Sequence, residues 1–161
     1  MRKAIFAIVA SLMALHNIPA LGDMYKVDLT RKDSNIYMID GEDIIIHTRY
    51  CYVYAYSEEA IFDMATYGGE LVFLESKDKC VVEAVFGRSE QISGRYAVRV
   101  SRDNNNWYEI FGSNSYIRTS NCIYLALGKE AYLTISSPGF GRLQFIDGND
   151  CRVEGVYTKL Q

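Results

Sequence analysis

The chain has 161 residues, with 17 basic against 20 acidic side chains and a net charge of −3. An acidic balance with no block of like charge argues against nucleic acid or an anionic membrane as partner, because both demand a positive field. Thirteen tyrosines and two prolines describe an ordered β-rich chain and not a disordered one.

Residues 1–22 read as an export signal. Arg2 and Lys3 precede an apolar run from Ala4 to Leu15, and Ala20-Leu21-Gly22 supplies small residues ahead of a cut before Asp23. The run falls short of the ~20 apolar residues a spanning helix needs, and no later stretch is long and apolar enough, so no transmembrane segment is expected. Loss of Arg2 and Lys3 takes the net charge from −3 to −5. The compact signal and the absence of an Asn-x-Ser/Thr acceptor point to a bacterial source and a periplasmic or extracellular location.

Beyond the signal the chain repeats itself. At an offset of 71 positions, Tyr25, Val27 and Arg31 recur as Tyr96, Val98 and Arg102, and Asn35, Tyr37, Ile39 and Gly41 as Asn106, Tyr108, Ile110 and Gly112. Ile46, Thr48, Cys51 and Ala55 recur as Ile117, Thr119, Cys122 and Ala126. One inserted residue then moves Gly69, Leu71 and Phe73 onto Gly141, Leu143 and Phe145, and a shorter turn restores the register at Cys80/Cys151 and Glu83/Glu154. A tandem duplication follows: repeat 1 over residues 24–88, a linker over 89–94, and repeat 2 over 95–159.

In repeat 1 the pattern predicts seven short strands: 25–30, 36–39, 43–48, 51–56, 60–65, 71–75 and 81–86. Turn chemistry separates them at Asp33-Ser34-Asn35, Asp40-Gly41, Gly68-Gly69 and Ser76-Lys77-Asp78. Residues 57–64 have helical content, but their counterpart, Ala131 to Ile135, alternates like a strand, so both are assigned as strand. The expected fold is all-β: two copies of a small antiparallel unit, barrel- or sandwich-like, or one larger barrel drawn from both halves.

Along the chain, His47 is the sole histidine outside the signal, and its counterpart Arg118 predicts a solvent-facing position. Tyr50, Tyr52, Tyr54 and Tyr56 alternate with Cys51, Val53 and Ala55, so an extended backbone lines four phenols along one face. Such a row can bind a sugar or a protein, although packing against the molecule's own core is the simpler expectation. The other half carries Asn121, Ile123, Leu125 and Leu127 there.

Four cysteines in an exported chain imply two disulfides. All three pairings respect the repeat, and Cys51–Cys80 with Cys122–Cys151 is the simplest, since it closes each half on itself. Arg31/Arg102, Glu59/Glu130 and Glu83/Glu154 are identical in both copies and read as structural polar groups. Glu83, between Val81 and Val85, is expected to be partly buried, with a raised pKa if no base is near.

In repeat 2, Trp107 replaces Ile36 beside a turn that includes Asn105. Either an exposed anchor for a partner at Trp107 and Asn105, or a core-filling indole, fits that placement. Asp147-Gly148-Asn149-Asp150 reads as a tight turn, too short for a calcium loop.

No metal site, cofactor motif or catalytic residue set is expected. Histidine is too scarce for zinc or a nucleophile–His pair, and no phosphate-cradling glycine loop is present. The sequence therefore reads as a non-catalytic exported binding protein, of inhibitor or immunity type, with a protein partner. A carbohydrate-binding module built on the tyrosine row and a secreted hydrolase using Glu83 and Glu154 are the alternatives.

Overall fold

A computed structural model describes residues 23–64, 68–136 and 139–160; the expected export signal lies outside them. Twelve strands and no helix occur among the described residues. In the first half these are β1 (Met24–Asp33), β2 (Ile36–Ile39), β3 (Ile44–Arg49), β4 (Glu58–Asp63), β5 (Glu70–Phe73) and β6 (Lys79–Ser89). The second half has β7 (Gly94–Asn104), β8 (Trp107–Ile110), β9 (Ser115–Ser120), β10 (Lys129–Ser136), β11 (Phe140–Phe145) and β12 (Asp150–Lys159). The assignment of residues 57–64 as strand holds as β4.

Each half closes into a six-stranded antiparallel barrel. The first ring runs β1-β2-β3-β6-β5-β4 and back to β1; the second runs β7-β8-β9-β12-β11-β10 and back to β7. Closure leaves few backbone edges unpaired. The interiors are filled by matched residues. Leu29, Tyr37, Ile46, Leu71, Phe73 and Val82 occupy one, and Val100, Tyr108, Ile117, Leu143, Phe145 and Val153 the other. Cys51–Cys80 and Cys122–Cys151 are both formed.

A bulge in the last strand of each half builds the connection between them. His47 lies opposite Ala84 and Thr48 opposite Val82, which leaves Glu83 as the extra residue; Glu154 is its equivalent between Val153 and Gly155. The extra residue flips the alternation. Val82 and Val85 therefore both face the barrel, while Ala84 and Phe86 turn outward. Those outward residues, with Ile36, Ile45, Trp107 and Tyr157, form a third apolar cluster between the barrels. There β6 and β12 pair directly, Phe86 to Ser89 against Lys159 to Val156.

Two sequence expectations are corrected here. Residues 51–56 form no strand of either barrel. His47 is not solvent-facing; it is 7 % exposed in the seam between the barrels.

Candidate functional site

Where a seventh strand was expected, each half carries a strap, residues 50–57 and 121–128. Both straps begin and end in left-handed backbone: φ is 53° at Tyr50 and at Ser57, 51° at Asn121 and 58° at Gly128. Between these kinks the chain is extended, but side chains and single backbone bonds, not a ladder, hold it. Asn35 Oδ1 accepts the Cys51 N–H at 2.8 Å, and Asn106 Oδ1 the Cys122 N–H at 3.1 Å. The buried phenols of Tyr37 and Tyr108 donate to the carbonyls of Val53 and Tyr124, at 2.8 and 2.6 Å. The backbone N–H of Arg31 donates to Ala55 O at 2.9 Å and that of Arg102 to Ala126 O at 2.8 Å. The disulfide fixes each strap to the last strand of its barrel. These contacts explain why Asn35, Tyr37, Cys51 and their counterparts are the same residues in both halves.

The inward strap positions Cys51, Ala55, Cys122 and Ala126 are buried, and the outward ones are open. Tyr50, Tyr52, Tyr54 and Tyr56 are between 72 % and 90 % exposed, and Ile123, Leu125 and Leu127 between 77 % and 88 %. The simpler expectation, that the tyrosine row packs on the protein's own core, is therefore wrong: the extended strap points its rings away from the barrel that anchors it. The aliphatic row of the second half, not among the candidate site residues read from the sequence, is equally open.

A shallow groove runs beside each row. Arg31, Lys32, Asp33 and Ser34 face Tyr54 and Tyr56 across one; Arg102 to Asn105 face Leu125 and Leu127 across the other. The Arg31 guanidinium lies 4.5 Å from the centre of the Tyr54 ring and its Nε donates to Asp33 O. Arg102 instead donates to the carbonyls of Asn105 and Ile123. Asn105 thus stands at the groove of the aliphatic row.

The remaining candidates lie elsewhere. Trp107 is 1 % exposed, because the seam buries its ring against Phe86 and Tyr157, so it offers no surface anchor. Glu83 is exposed and not half-buried, since the bulge turns it out to Arg49 at 2.5 Å. Glu154 pairs with Arg118 at 3.2 Å. Each carboxylate is committed to a guanidinium, and the cleft between the barrels is lined by Glu154 but not Glu83. Glu59 pairs with Lys26 at 2.7 Å, and Glu130 is exposed. No cluster of three or more metal-ligating side chains occurs among the described residues, and no helix there is long and apolar enough to cross a membrane. Comparison with protein-family models, curated proteins and solved structures finds no match to this chain.

Proposed function

We propose that this is an exported, non-catalytic binding protein that docks on another protein through its two straps. One observation carries the reading: large apolar side chains stand fully outward on backbone that is clamped at both ends. Exposed rings on a rigid support bind without the entropy loss of ordering a loop, and tyrosine is the residue such surfaces favour. At about 150–250 Å² per ring, the four tyrosines offer roughly 600–1,000 Å², a range that brackets the roughly 800 Å² on one side of a standard protein interface. The aliphatic row favours a protein over a glycan, because branched aliphatics give a sugar no flat face. The acidic balance suits a basic partner, and an inhibitor or immunity-type protein is the form of this reading in which that partner is an enzyme.

A photo-crosslinking residue at position 54 or 125 tests it in envelope extract at physiological salt, with the exposed Gln144 of β11 as the control position. One protein crosslinked at both straps, and competed by unlabelled chain but not by a Tyr52→Ser/Tyr54→Ser/Ile123→Ser/Leu125→Ser variant, is the expected result. Labelling no stronger at the straps than at the control overturns the proposal.

Glycan binding by the first strap is the second reading, favoured by the polar groups of Arg31, Asp33 and Ser34 beside Tyr54 and Tyr56. It requires Tyr52→Ala/Tyr54→Ala to abolish retention on a glycan matrix while Ile123→Ser/Leu125→Ser leaves it intact.

A further inference from the structure

The seam between the barrels contains one imidazole, that of His47. His47 lies on β3 with Ile36 of β2 on one side and Ala84 of β6 on the other. Its imidazole packs 4.6 Å from the Phe86 ring and meets Trp107 edge-on at 4.8 Å. Its Nε2 is buried and finds no hydrogen-bond partner among the described residues. The elements packed against it offer no compensating charge. β2 presents Ile36 and Met38, β6 presents Ala84 and Phe86, and β8 presents Trp107. β9 contributes Arg118 and the phenol of Tyr116, and β12 contributes Lys159 and the phenol of Tyr157. The carboxylate of Glu154 is already engaged by Arg118.

We infer that the seam is an acid-sensitive joint: protonating His47 drives the apolar faces of the two barrels apart about the β6–β12 ladder, while each barrel stays closed. A proton on this ring creates a cation among apolar rings, with its Nε2 unpartnered and two other cations nearby. The attraction of a cation for the Phe86 and Trp107 rings is small beside the loss of its hydration. Burial first, with Arg118 and Lys159 adding, holds the imidazole down at about 4 from its ordinary 6.5. Each barrel keeps its own disulfide and its own interior, so the weak element on acidification is the seam. Opening it changes the placement of one strap relative to the other. The inference is independent of what the straps bind.

Trp107 is the only tryptophan and touches His47, so its fluorescence reports on the joint. Titration of the oxidised protein from pH 7.5 to 4 should shift the emission to the red and raise acrylamide quenching severalfold. The change should begin below pH 6.5, with far-UV circular dichroism unchanged and the radius of gyration increased. His47→Phe and the more conservative His47→Gln should abolish it. Emission wavelength and acrylamide access that stay constant over the range overturn the inference, as does simple quenching without a gain in access. So does an equal response in whichever of the two variants folds.

Discussion

Gly87 and Thr158 stand opposite each other in the β6–β12 ladder, and each is the other's counterpart at the 71-residue offset. A local two-fold axis therefore passes between them. Phe86 faces Lys159 and its counterpart Tyr157 faces Arg88; Ser89 faces Val156, and Leu160 N donates to Val85 O at 2.7 Å. The backbone obeys the axis and the side chains break it: the seam has Ile36, Ile45, Phe86 and His47 from one half but Trp107, Tyr116, Tyr157 and Arg118 from the other.

That asymmetry makes Trp107 the largest side chain of the seam. Trp107→Ala should cost about 3–5 kcal/mol, the usual penalty for deleting a buried indole, measured by urea unfolding at pH 7. A loss under about 1 kcal/mol would mean the barrels do not depend on their contact.

Two glycines of similar appearance should behave differently. A Cβ at Gly141 would lie 1.9 Å from Thr134 O, and one at its counterpart Gly69 would lie 2.6 Å from Asp63 O. Backbone cannot yield there, so Gly141→Ala should cost several kcal/mol and Gly69→Ala somewhat less. Gly148, at φ +95° with open space around it, should cost about 1–2 kcal/mol on mutation to Ala, from backbone strain alone. Thermal unfolding of the three variants ranks them.

Strap anchors and strap surface should separate cleanly. Tyr37→Phe or Tyr108→Phe leaves a partly buried carbonyl without its donor and should cost about 1–3 kcal/mol. Tyr52→Ser and Leu125→Ser remove groups that touch little and should stay within about 0.5 kcal/mol of wild type. Equal losses in both sets would show that the outward rows support the fold.

Each disulfide joins residues 29 positions apart. Removing either one by a Cys-to-Ala pair should cost about 3–4 kcal/mol on the chain-entropy model. Because the two close separate barrels, the losses should add, which a double knockout measured by denaturant midpoint would check.

Stability should also follow His47. Its pKa is lower folded, about 4, than unfolded, 6.5. Between these values the unfolded chain holds the extra proton, so stability rises with pH and is complete above 6.5. As pH falls through the window the loss approaches about 3 kcal/mol, a ceiling set by that difference. His47→Phe should flatten this part of the profile.

Much of the fold was legible because the repeat exposed it. Identical pairs such as Asn35/Asn106 and Tyr37/Tyr108 mark places where both halves must meet one hydrogen-bond demand, and the cysteine spacing matched the simplest closure. The straps were misread as strands because alternation of Cys51, Tyr52, Val53 and Tyr54 reports only that the chain is extended. Whether a ladder or a set of side chains pairs its backbone leaves no mark on that period. Glu83 was misplaced because a bulge shifts the alternation without a sequence signature of its own. His47 and Trp107 were hidden for another reason: their burial arises from one barrel meeting the other, and periodicity within a strand carries no trace of it.

The strap divides its labour by side. Cys51, Ala55, Cys122 and Ala126 point toward the barrels, and the tyrosine and aliphatic rows point away. Selection can therefore rewrite the outer positions, as the two halves already show with phenols in one and aliphatics in the other, while the mounting stays untouched.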